Sequence, residues 1–325
     1  MEEFLNTALF SLKRSAIRVY NQKAKQTPGC ISLTLGEPDF ETPLSVKEEA
    51  KVSLDRGDTH YIANNGSTLL LERISEFEKK KNGLDYKADE IIVTVGATEG
   101  LFTALFGVIN PGDEVLVPVP AFGLYESIIT MCRGKFVPLD TSKNSFEISR
   151  EMIEGAITEK TKAIILNSPT NPTGCVLSRE SLENIHNAVK DRNIFVICDD
   201  VYRSLIYTDS YESFSSFKDL KKKIIVIQSF SKPYAMTGWR MGYLMADAEI
   251  KKHLELVHQF TVVSTVSFSQ SACIKALETD VSPMVEEYNK RRLFVLKRLS
   301  EIGLETTEPL GGFYAFPSIE TFGLS

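Results

Sequence analysis

Apolar residues gather into short continuous runs through the middle of the chain: Ile91-Ile92-Val93-Thr94, Val115-Leu116-Val117, Ala163-Ile164-Ile165-Leu166, Ile194-Phe195-Val196-Ile197 and Ile224-Ile225-Val226-Ile227. None alternates apolar with polar, so each reads as a strand buried on both faces. Helical periodicity lies between several of them, as at residues 99–109 and 182–190, and Ser178 is placed to cap the second of these. Pro111-Gly112-Asp113 reads as a turn into the next run. Strands alternating with helices predict an α/β fold, a three-layer α/β/α arrangement with a mostly parallel sheet. The ends differ. Residues 1–45 and those after 270 are helical in pattern and richer in charge, and 284–299 reads as an exposed amphipathic helix. The expected division is a large domain at 46–270 and a smaller α+β domain built from 1–45 and 271–325, with no repeat or low-complexity linker between them.

Polar clusters follow the apolar runs directly: Gly96-Ala97-Thr98, residues 118–122, residues 167–174, Asp199-Asp200 and the segment from Ser229 onward. Ligands in open α/β sheets bind outside the carboxyl ends of strands, so these clusters predict one site.

Composition narrows the classes. The 325 residues suffice for a large core and two domains. A net charge of -6 argues against a nucleic-acid surface. No apolar run approaches the roughly 18 residues of a membrane span. The start, Met1-Glu2-Glu3-Phe4, is acidic, unlike a secretory leader. Five scattered cysteines, with no close pair, suit reduced thiols and a cytoplasmic protein. Four histidines form no metal-binding motif, so no metal is expected.

The most telling segment is Ser229-Phe230-Ser231-Lys232-Pro233-Tyr234-Ala235-Met236-Thr237-Gly238-Trp239-Arg240. A lysine held at a strand end can form an imine with a carbonyl. Ser229, Ser231 and Arg240 can hold a phosphate beside it, Arg240 with charge-assisted paired contacts. An aldehyde and a phosphate on one small molecule describe pyridoxal phosphate. The remaining clusters supply its other contacts. Gly96-Ala97-Thr98 lies between a strand and a predicted helix, where backbone N–H groups at the helix start would complete a phosphate cradle. Asp199 can keep a pyridine nitrogen protonated, with Asp200 the competing candidate. Tyr202 and Asn171, the latter fixed in a loop with two prolines and a glycine, can reach the ring's 3'-oxygen. Phe122 can cover the ring face.

Together these motifs resemble fold-type I pyridoxal-phosphate-dependent aminotransferases of class I/II, the aspartate aminotransferase-like group. The resemblance starts at Ser15-Ala16-Ile17-Arg18 and Leu33-Thr34-Leu35-Gly36-Glu37-Pro38-Asp39-Phe40. It continues through Tyr61 and Gly66, the Asn171-Pro172-Thr173-Gly174 loop, Asp199 with Tyr202, and the lysine segment, and ends at Gly311-Gly312-Phe313-Tyr314, similar to a late small-domain strand. It implies that Lys232 is the lysine joined to the cofactor and the catalytic proton carrier, that Asp199 partners the pyridine, and that Gly36 and Asn171 line the substrate side. It implies a homodimer in which Tyr61 reaches the neighbouring subunit's cofactor phosphate. The implied reaction moves an amino group from an L-amino acid to a 2-oxo acid in two alternating halves. A β-lyase, or a cofactor-binding protein without turnover, is the alternative. The family carries a substrate-carboxylate arginine beyond the 311–314 segment. With the sequence stopping at Ser325, a truncated small domain is the expectation.

Overall fold

The computed structural model describes residues 4–12 and 14–323; Met1-Glu2-Glu3 and Ser325, used above, lie outside them. Its sheet contains β1 (Ile91–Thr94), β2 (Glu114–Val119), β3 (Lys135–Asp140), β4 (Thr161–Asn167), β5 (Phe195–Asp199), β6 (Ile224–Ser229) and β7 (Gly242–Ala246). They lie in the order β1-β7-β6-β5-β4-β2-β3. Only β7 runs against the others, antiparallel to both β1 and β6. The remaining pairs are parallel, as the continuous apolar runs require.

Around the sheet lie α1 (Ala16–Gln26), α2 (Leu44–Asp55), α3 (Thr68–Asn82), α4 (Gly96–Val108), α5 (Leu124–Met131), α6 (Arg150–Ala156), α7 (Arg179–Val189), α8 (Ala248–Val262), α9 (Phe268–Leu277) and α10 (Ser282–Glu301). Alternate strand residues point to opposite faces, and each face has its own core. Val93, Ile164, Val196 and Val226 pack with Val46, Leu70, Ile74, Leu182, Ile185 and Cys273 from α2, α3, α7 and α9. Ile92, Ile165, Ile197 and Ile227 pack with Leu101, Leu105, Ile128 and Leu254 from α4, α5 and α8. Each such fully buried aliphatic side chain stabilises the fold by about 1.5–3 kcal/mol.

Ser178 caps α7, its side chain accepting from the N–H of Ser181. The helix read at 99–109 begins three residues earlier, at Gly96. α9 crosses position 270, and its Ala272, Cys273 and Ala276 belong to the core shared with α2. The strand expected at Gly311-Gly312-Phe313-Tyr314 is not one. Gly311 forms a single bridge to Ile206, and Thr306 another to Pro317. Pro309, Pro317 and Gly312, whose φ is +69°, interrupt any longer ladder.

Candidate active site

At the carboxyl ends of β1, β4, β5 and β6 the chain encloses a cavity of about 270 Å³. The β1–α4 turn contributes Ala97 and Thr98, the approach to α5 contributes Phe122, and the loop after β4 contributes Asn171. Asp199 and Tyr202 come from the end of β5. Ser229, Ser231 and Lys232 come from the end of β6, and Arg240 from the turn before β7. Both chain ends line the cavity, the N-terminal segment with Gly36 and the C-terminal one with Tyr314, which meet there. Tyr61 stands apart. It is 88% exposed and lines a surface hollow with His60 and residues 264–268.

Asp199 is buried, and the hydroxyl of Tyr125 donates to its Oδ2 at 2.6 Å. Its Oδ1 is buried with no hydrogen-bond partner among the described residues. Burial pushes its pKa up to about 6, against the opposing hydrogen bond from Tyr125. Asp200 is engaged elsewhere. Its Oδ2 accepts from Arg203 Nη1 at 3.1 Å and from Ser213 Oγ at 2.7 Å. Asp199 therefore lines the cavity and Asp200 does not.

Lys232 Nζ donates to the Gly36 carbonyl at 2.5 Å. It also stands 5.7 Å from the ring centroid of Tyr202 and 5.4 Å from that of Phe313. Burial pulls its pKa down to about 8; nearby Glu37 and Asp199 oppose that change, and Arg240 adds to it. Tyr202 and Tyr314 share a hydrogen bond of 2.6 Å between hydroxyls. Burial raises both phenols, Tyr314 to about 12. Gly36 is a close approach of backbone to side chain: a Cβ there would collide with the Tyr314 hydroxyl.

The turn into α4 is built for a small residue. Gly96 has φ +69°, and a Cβ would lie 2.5 Å from Arg240 Nη2. Arg240 is thereby packed against the first turn of α4, its Nη1 donating to the Thr237 carbonyl at 2.9 Å. Val95, at the cap position, offers no side-chain acceptor, so the N–H groups of the first turn and their partial positive charge suit an anion. Nearby, the N–H of Ser231 donates to Ser229 Oγ at 3.0 Å.

Sequence reasoning assigned no part to Tyr125, Tyr314 or Thr237, yet all three line the cavity. Tyr125 follows Phe122 by three residues, a spacing that puts both on one side of a helical turn. Tyr314 lay within the 311–314 motif without a role.

The sequence profile described as aminotransferase class I and II matches residues 28–321. A probable N-acetyl-LL-diaminopimelate aminotransferase from Bacillus subtilis is 40% identical over 100% of this chain and 83% of that protein. Aromatic-amino-acid aminotransferase 2 from Thermococcus litoralis is 38% identical, covering 99% of this chain and 85% of that protein. The crystal structure of aspartate aminotransferase from Thermotoga maritima superposes with a TM-score of 0.93 at 36% identity, covering 97% of this chain and 85% of that one.

Proposed function

The chain belongs to aminotransferase class I and II, pyridoxal-phosphate-dependent enzymes, and on that premise we propose that Lys232 Nζ takes the cofactor's aldehyde and carries the proton of transamination. The observation that carries this reading is the unpartnered, buried Oδ1 of Asp199 in the wall of the cavity that holds Lys232. A protonated ring nitrogen is the donor that this oxygen lacks, so the residues present fit the cofactor. Ser229, Ser231, Arg240 and the amides of Ala97 and Thr98 would hold its phosphate. Phe122 would cover a ring face, and Asn171 and Tyr202 would hold the 3'-oxygen.

When bound, pyridoxal phosphate supplies an electron sink for the pair left on the substrate's α-carbon. Lys232, with its pKa near 8, is close enough to neutrality to take the α-proton and give it back. Asp199 keeps its charge where a ring N–H needs it. Tyr125 donates to the other oxygen and fixes the carboxylate's orientation. Gly36 and Asn171 face the side where the substrate's carboxylate would lie. Lys232 would begin the first half joined to the cofactor and end it as a free amine: the L-amino acid leaves its amino group behind and departs as a 2-oxo acid, and a second 2-oxo acid takes that group up as Lys232 is joined again.

The same reading makes the enzyme a homodimer with shared sites. Its support is the exposed Tyr61 beside Val266 and Phe268, with Phe260 83% exposed on the preceding helix. No described helix is long and apolar enough to cross a membrane. The free cysteines, four of them buried, suit the reducing cytoplasm. Lys232→Ala tests the assignment: the purified variant loses turnover and no longer holds the cofactor's yellow colour. Turnover near the wild-type rate would sink it.

A further inference from the structure

His258, on α8, is fully buried and belongs to none of the motifs above. Its Nε2 lies 2.8 Å from the Asn64 carbonyl oxygen. A carbonyl only accepts, so Nε2 donates. Its Nδ1 lies 3.1 Å from Glu99 Oε1. Glu99 already accepts on both oxygens, from the N–H of Val95 at 3.0 Å and from Thr103 Oγ1 at 2.6 Å. With Nε2 committed as a donor, a single proton lies between Nδ1 and Oε1 and joins ring to carboxyl. Ring and carboxyl together therefore form a buried pair with no net charge, tied to the Asn64 carbonyl.

Each acceptor belongs to a segment that matters. Glu99 lies in the first turn of α4, directly after Ala97 and Thr98, and its Oε2 also fixes the backbone entering that turn. Asn64 lies three residues beyond Tyr61. The loop is docked on β1, with the N–H of Val93 donating to the Asn65 carbonyl at 2.9 Å. A buried carboxylate in the same turn as an anion cradle repels the anion unless its charge is cancelled, and a buried charge without a partner is costly in itself.

We propose that His258 is a positioning residue for the phosphate end of the cofactor site: it cancels the charge of Glu99 in the α4 turn and ties that turn to the loop carrying Tyr61. The proposal rests on the reading of the Ala97 and Thr98 amides as phosphate ligands. It is tested by titrating the cofactor-free protein with pyridoxal phosphate and with pyridoxal, which lacks the phosphate. The ratio of the two affinities measures what the phosphate gains.

His258→Gln keeps a donor but removes the group that shares a proton with Glu99. It is expected to lower that ratio about tenfold or more, while pyridoxal affinity changes by less than about threefold. Glu99→Gln combined with His258→Gln makes the pair neutral again and recovers most of the ratio. The proposal is overturned if His258→Gln keeps the wild-type ratio, if both affinities fall together, or if the double variant recovers nothing. Should His258→Gln alone fail to fold, the double variant carries the comparison: a ratio near wild type supports charge cancellation, and a lost ratio overturns it. If the wild-type protein binds pyridoxal phosphate no better than pyridoxal, the phosphate reading itself falls, and this inference with it.

Discussion

Asp199 has one oxygen satisfied by Tyr125 and one buried without a partner, and its pKa is held up at about 6 from an ordinary 3.8. Below pH 3.8 the folded and unfolded chains both keep the proton. Between 3.8 and about 6 the unfolded chain releases it first, so the folded state loses ground as pH rises, and above 6 the loss is complete. The cofactor-free protein should therefore lose about 1–3 kcal/mol of stability between pH 4 and pH 7 through this one side chain. In Asp199→Asn that part of the pH dependence disappears. Denaturant unfolding of the cofactor-free proteins at several pH values checks it, and identical pH profiles for the two would contradict it. Residues of this kind were legible because their types stand directly after apolar runs. Their partners were not. Tyr125 meets Asp199 across 74 residues, Tyr314 meets Tyr202 across 112, and His258 meets Glu99 across 159. Only the folded chain makes those pairs.

At the scale of elements, the turn after β5 is anchored by a buried ion network. Arg203 Nη2 donates to both oxygens of Glu78 on α3, at 2.8 and 2.6 Å, and Nη1 donates to Asp200. Tyr243 on β7 donates to Glu78 at 2.5 Å. The network fixes α3 and β7 against the turn that carries Asp199 and Tyr202. Arg203→Met leaves two buried carboxylates without a cation and should destabilise the fold by about 3–5 kcal/mol. Urea unfolding measures this, and a loss under about 1 kcal/mol would show that the network is not what holds the turn. The elements themselves were readable where burial on both faces makes a continuous apolar run. β3 escaped because it is an edge strand, with Lys135 and Asp140 exposed and Pro138 within it. β7 escaped because its Gly242-Tyr243-Leu244-Met245-Ala246 run is short and opens on a glycine, which weakens the strand signal. At 311–314 the resemblance suggested a strand, and the glycines and prolines there allow only a bridge.

In the whole molecule, the sheet supplies one wall of the cavity and the two ends of the chain supply the other. Lys232 reaches Gly36 from the N-terminal segment, and Tyr202 reaches Tyr314 from the C-terminal one. Tyr207, just beyond β5, donates to the carbonyl of Gly312, so the segment bearing Tyr314 is held to the sheet domain near the site. The resemblance placed Gly36 at the site and gave Tyr314 no part in it. Local pattern did not place Gly36 there, because residues 1–45 carry no signal that points to a distant strand end. Tyr61 finds no place in this cavity, and the proposed second copy of the chain would give it one. The most direct test of the central claim, amino transfer through Lys232, is the visible absorption spectrum of the cofactor-loaded protein during addition of single L-amino acids and then a 2-oxo acid. The account predicts a yellow band that bleaches with a donor amino acid and returns with the oxo acid, without ammonia release. Pyruvate and ammonia formed from one amino acid with no acceptor present, or a yellow band that no amino acid alters, would contradict it.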